Sequence, residues 1–208
     1  LKTLEEPPER TIFVLLSVRP DQLGETVRSR CMRVNFGGEA NVQLEANDAA
    51  WLKSFVGMSA ETGAGLMGRY RLLGNLMEHL AAKYDTIEEI QEEASPLNRH
   101  NDIEPTLREK LKEELKASIE AEYRRQRGQF LAGLQWWLRD VWLAALRQGR
   151  ELLHFQEWAD TSETVGHRLT PRQALDNLQS IEATQRLLET TNVQEALALE
   201  VGLLKLKL

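Results

Sequence analysis

From Pro105 to about Gln148 the chain keeps an unbroken helical periodicity with no internal proline, and this run dictates a fold built largely of helices. Leu107, Leu111, Leu115, Ile119 and Tyr123 recur every four residues on an otherwise charged surface. The pattern then becomes strongly apolar at Phe130, Leu131, Leu134, Trp137, Leu138, Val141 and Leu146. Residues three and four apart share one helix face, so the first half reads as a projecting, solvated arm and the second half as buried. Gly128 and Gly133 are positions where such a helix can bend, and Gly149 is its expected stop.

Helical signals continue on both sides of this run. Asn47 or Asp48 is placed to cap a short helix through Val56, and Leu66, Tyr70, Leu73, Met77 and Leu80 repeat at helical spacing. Thr86-Ile87-Glu88-Glu89 has the form of a capping box opening a further helix, and Ser95-Pro96 to Asn101 reads as a linker. Thr170-Pro171-Arg172-Gln173 sets a capping residue, an N1 proline and an N3 glutamine before Ala174, Leu175, Leu178, Ile181 and Leu188. Asn192-Val193-Gln194-Glu195 repeats that logic for a last helix that is apolar over most of its circumference. Such a helix needs partners on several sides, in its own bundle or in neighbouring subunits.

The first 36 residues differ. Leu1 to Glu6 has helical composition and is ended by Pro7-Pro8; Thr11 to Val18 is a continuous apolar run of strand length, of the kind buried on both faces of a parallel sheet. Pro20-Asp21 starts a helix carrying Leu23 and Val27, and Met32, Val34 and Phe36 alternate as a short second strand. One helix and two strands do not complete an α/β domain, so the remainder is expected either to lie upstream of Leu1 or to be absent. No Gly-x-x-x-x-Gly-Lys-[Ser/Thr] loop occurs, which predicts that this segment does not cradle ATP phosphates in the usual way. A domain boundary is expected near Gly37 to Asn41.

With 208 residues, 42% hydrophobic and 28% charged, the chain is long enough for two modest cores. A net charge of −6 argues against broad nonspecific nucleic-acid binding, because phosphate neutralisation needs clustered Lys and Arg. No apolar stretch reaches the ~18 residues of a membrane span and no secretory leader is present, so a cytoplasmic location without membrane contact is the default. The single cysteine gives neither a disulfide nor a zinc cluster, and the four histidines show no metal-ligand spacing, so no metal site is expected. Gly63 to Gly68 is a literal G-x-G-x-x-G, but the dinucleotide fingerprint needs a buried strand directly before it and Gly57 to Thr62 is not one. Trp136, Trp137, Trp142 and Trp158 lie at helical spacing beside leucines and read as core. Arg19, Arg28, Arg30 and Arg33 form a local basic cluster in an acidic chain; charge alone favours a solvated face or salt bridges.

Leu1-Lys2-Thr3-Leu4-Glu5-Glu6-Pro7-Pro8, the run Thr11 to Ser17, Arg19 to Leu23 and the terminal Ser29-Arg30-Cys31 together resemble the second half of the AAA+ module in bacterial DNA polymerase III clamp-loader subunits. Asn192-Val193 followed by Ala196 to Glu200 is more loosely similar to the last collar helix of those subunits, and about Glu45 to Gln126 matches poorly. The resemblance implies a mainly α protein: a remnant of the AAA+ α/β sheet over residues 1–40, a helical lid-like domain over 41–100, and a helical arm with a collar, or oligomerisation, domain over 101–208. It also implies that Arg30 is an arginine finger acting in trans on ATP held by a neighbouring subunit, with Ser29 and Cys31 shaping the turn. Ser17 falls at the sensor-1 position, and Arg71, in Gly68-Arg69-Tyr70-Arg71, at the possible sensor-2 position. Arg19-Pro20 and the stop at the collar helix are similar to the delta-prime type, with the gamma/tau ATPase type as the alternative. Implied partners are gamma/tau and delta subunits, and through the complex the sliding clamp and primer-template DNA. Under this resemblance the segment binds no cofactor of its own and is a component of the polymerase III holoenzyme rather than itself catalytic. An unrelated helical interaction protein is the rival from a different class.

Overall fold

The structure, a computed structural model, describes residues 11–17, 23–32, 34, 44–61, 65–99 and 104–208. The chain divides into two compact units, Leu1–Asn41 and Val42–Leu208. The expected helix over Leu1 to Glu6, the Pro20-Asp21 helix start, Arg19, Arg33 and Phe36 lie outside the described residues.

In the first unit a single helical turn, α1 (Glu25–Arg28), follows Gly24. Thr11 to Ser17 carries no regular secondary structure, and Ile12 is 89% and Leu16 85% exposed. A strand exists only by pairing, and Val18 and Phe36, which belong to the two expected strands, lie outside the described residues.

The second unit is helical throughout its described residues. Its elements are α2 (Ala46–Ala60), α3 (Leu66–Ala94), α4 (Pro96–Arg99), α5 (Pro105–Ala145), two 3₁₀ turns, α6 (Ala159–Gly166), α7 (Pro171–Thr190) and α8 (Glu195–Leu204). The 41 residues of α5 extend roughly 60 Å. Its C-terminal half is the axis of the bundle: Phe130, Leu134, Trp137, Leu138 and Val141 are buried among Phe55 of α2, Leu76 and Leu80 of α3, Ile181 of α7 and Leu199 and Leu203 of α8. This one core draws on helices either side of residue 100. Trp137 is fully buried against Phe55, edge to face at 5.6 Å between centroids, while Trp136 and Trp158 pack at the margin.

The charged half of α5 does not project alone. It runs antiparallel to the distal half of α3, since Lys83 meets Gln126, Tyr84 meets Glu120, and Gln91 meets Ser118. Ile87, Ile119 and Tyr123 form a small core of their own between them. That pairing explains why Thr86 opens no helix: α3 passes straight through it, and its hydroxyl donates back to Ala82 O at 2.9 Å. Helix α5 is continuous through Gly128 and Gly133; a Cβ on Gly133 would come within 2.6 Å of Leu44 Cδ2, so the residue admits a neighbour.

Where the helix ends also differs from the expectation at Gly149. The turn closes as Arg147 N–H donates to Ala144 O at 2.9 Å and Gln148 N–H to Leu143 O at 3.0 Å, with Arg147 at φ 58°. This is a Schellman arrangement whose left-handed position glycine normally fills. Arg147→Gly is therefore expected to stabilise the protein by about 1 kcal/mol, raising Tm by roughly 2–4 °C in a thermal melt, whereas Arg147→Ala brings no such gain.

The remaining ends follow local chemistry unevenly. Thr170 and Gln173 form the reciprocal capping box. In contrast α2 starts at Ala46 with no side-chain cap, and α8 starts at Glu195 behind Gln194 rather than at Asn192. Helices approach closely at Gly166, where an added Cβ would lie 2.8 Å from Val141 O, and more closely still at Gly202, against the Thr184 side chain.

Candidate functional site

Ser29-Arg30-Cys31 follows directly on α1, and all three residues are exposed. Ser29 N–H donates to Glu25 O at 2.9 Å and Arg30 N–H to Val27 O at 3.2 Å, so the turn continues the helix and then releases the chain. Arg30 Nη1 donates to Thr26 O at 2.8 Å, and Ser29 Oγ reaches the same carbonyl at 3.4 Å. A planar fork held at the end of a short helix is a geometry suited to bidentate recognition of phosphate oxygens. Arg28, in the last turn of α1, is exposed beside it, and Cys31 carries a free thiol.

Ser17 is exposed at the end of the run Thr11 to Ser17 in the same unit. Arg71 belongs to the other unit, exposed in the second turn of α3. Its neighbours are engaged with the last helix: Arg69 Nη1 donates to Leu204 O at 2.8 Å and Tyr70 OH to Glu200 Oε1 at 3.3 Å. The glycine-rich Gly63–Gly68 stretch joins two helices, α2 and α3, so the strand that a dinucleotide loop requires is replaced by a helix.

Three clusters of polar side chains lie inside the bundle. At the root of the hairpin Asp48 is buried in α2, and its Oδ1 accepts from His79 Nε2 at 2.7 Å and from Lys83 Nζ at 3.1 Å. Lys83 Nζ also reaches Glu45 at 2.9 Å and Gln126 Oε1 at 3.3 Å. Burial pushes the Asp48 carboxyl up, but the hydrogen bonds from His79 and Lys83 and their charge outweigh it and hold the group below its ordinary value. A carboxylate only accepts, so His79 Nε2 carries the hydrogen. His79 stacks near Trp51 and Phe130, at 5.9 and 5.0 Å.

Asp140, fully buried, accepts from the His154 and Phe155 amides at 2.9 and 2.8 Å and so organises the turn after α5. Burial raises its carboxyl above the ordinary range despite these amides and nearby Arg139. Third, Glu195 accepts from both Tyr123 OH and Arg127 Nη1. One signal in the sequence points to the first cluster: His79 and Lys83 continue the buried stripe of Leu72, Leu76, Leu80 and Ile87 at steps of three and four.

Among the described residues no cluster of His, Cys, Asp and Glu fits a metal ion, and no helix is long and apolar enough to cross a membrane. A cleft between Arg69, Leu72, Leu203, Leu206 and Leu208 offers about 10 Å³ of water-accessible space, enough for about one water.

A family profile described as DNA polymerase III, delta subunit matches residues 1–39. Over 36 residues the chain is 53% identical to DNA polymerase III subunit tau of Bacillus subtilis (strain 168), an alignment covering 17% of this chain and 6% of that protein. No solved structure matches the chain. The likeness thus coincides with the first compact unit, and it supports kinship of that segment with the DNA polymerase III clamp-loader subunits.

Proposed function

We propose that this chain is part of a DNA polymerase III clamp-loader subunit of the delta-prime type. In this reading Arg30 is a trans arginine finger for ATP bound on an adjacent gamma/tau subunit, the segment itself holds no nucleotide, and the helical unit Val42–Leu208 supplies assembly contacts. The complex would then use ATP to open the sliding clamp and place it on primer-template DNA in the cytoplasm. The observation carrying the reading is the exposed Ser29-Arg30-Cys31 turn at the end of α1, inside the segment that matches the delta-subunit family. Ser17 as sensor 1 and Arg71 as sensor 2 belong to the same proposal as secondary positions.

The identity to subunit tau favours a second reading, a gamma/tau subunit that is an ATPase in its own right. The two separate on whether the full-length polypeptide carries a working phosphate loop.

Native mass spectrometry of this chain mixed with gamma/tau and delta subunits from the same organism tests the assembly claim. One copy in a stable heteromer is the expected result. No incorporation, or a homo-oligomer instead, would replace the proposal with a helical interaction protein unrelated to clamps.

A further inference from the structure

Glu195 is the first residue of α8, yet that helix has no side-chain cap of its own. Both oxygens of the Glu195 carboxylate are taken by α5: Oε1 by the Tyr123 hydroxyl and Oε2 by Arg127 Nη1. Arg127 is itself buried, donates through Nη2 to Leu188 O at 3.3 Å near the end of α7, and lies over the Tyr123 ring at 5.4 Å. The α7–α8 connection and the start of α8 are therefore fastened to one turn of the long helix.

That same turn belongs to the hairpin. Tyr123 closes the small core with Ile87 and Ile119, and its ring meets Tyr84 of α3 edge to face at 5.2 Å. Tyr84 in turn donates to Glu120 at 3.4 Å. One side chain thus sits in the hairpin core by its ring and on the last helix by its hydroxyl. A phenol is stiff, with two torsions and a rigid ring, so a displacement at the ring is carried to the oxygen rather than absorbed.

We infer that Tyr123, with Arg127, couples the hairpin formed by the distal half of α3 and the charged half of α5 to the N-terminal turn of α8. A displacement of the hairpin that shifts the Tyr84–Tyr123 contact alters the hold on Glu195; fixing α8 in turn steadies the hairpin, because coupling between two sites is reciprocal. The link rests on contacts within the helical unit and is independent of Arg30.

Hydrogen–deuterium exchange on the full chain tests it as a double-mutant cycle. The Ala198 amide, bonded to Gln194 O at 3.1 Å, and the Leu199 amide report on the first closed turn of α8. Tyr84→Ala is expected to speed their exchange about tenfold in the native tyrosine background. In a Tyr123→Phe background, where the ring stays and the hydroxyl is gone, Tyr84→Ala is expected to leave those amides unchanged. Faster exchange confined to the hairpin, or equal acceleration in both backgrounds, would overturn the coupling, the latter by showing general destabilisation.

Discussion

On the proposed delta-prime reading, Arg30→Ala in an assembled clamp-loader complex is expected to cut ATP turnover at the neighbouring nucleotide site by about 10³-fold or more, by analogy with trans arginines in GTPases. Transition-state charge on a transferring phosphoryl group is spread over its oxygens, and a guanidinium fork placed from outside matches that spread in a way a solvated point charge does not. Arg30 is exposed and past the end of α1, so its removal sacrifices no buried packing, and incorporation into the complex should be unaltered. DNA- and clamp-stimulated ATPase at matched stoichiometry is the readout. Arg30→Lys sharpens it: retention of charge without the fork should leave turnover well below that of the wild type. Turnover unchanged in Arg30→Ala would remove the residue from the mechanism while leaving the assembly claim to native mass spectrometry.

The position of Arg30 illustrates what sequence does and does not supply. Charge alone made it one member of a basic cluster, and only its place in a motif gave it a role; the structure adds that the side chain is exposed with Nη1 resting on Thr26 O. Helix content was legible because it is written locally. Thr170 and Gln173 cap α7 within a span of three residues, and the stripe through Phe130, Leu134, Trp137 and Val141 is buried as its spacing required. Failures came where distant residues outcompeted a local signal. Thr86 carries a capping pattern, but burying Ile87 against Ile119 and Tyr123 keeps α3 helical through it. Asp48 looks like a cap because it stands near a helix start, yet its partner His79 is 31 residues away. The hairpin was half legible: the patterns at Leu66 to Leu80 and at Leu107 to Tyr123 marked helices, while nothing in the sequence tied the two into a pair.

Asp48→Ala is expected to cost about 3–5 kcal/mol of unfolding free energy at neutral pH, the range for removing one partner of a buried ion pair. The side chains involved are 4% exposed for Asp48, 7% for Lys83 and 14% for His79, so little water is at hand to replace the carboxylate. Lys83 keeps Glu45, which is 55% exposed and correspondingly screened, and the Gln126 amide oxygen. Asp48→Asn retains shape and one acceptor and should cost less. It also isolates the charge: the folded protein holds the Asp48 carboxyl below its ordinary value of 3.8, so its stabilising contribution is fully present above that value. The contribution is lost as pH falls through the folded-state value, and the gap between wild type and Asp48→Asn in urea unfolding should narrow as pH drops below about 4. Asp140 titrates with the opposite sign, since burial raises its carboxyl and folding therefore favours its protonated form, so whole-protein acid stability mixes the two. The difference between wild type and Asp48→Asn cancels the Asp140 contribution, provided the two sites are independent. A gap that stays constant from neutral pH to below 4 would show that the Asp48 charge contributes nothing and that only its shape is required at the root of the hairpin.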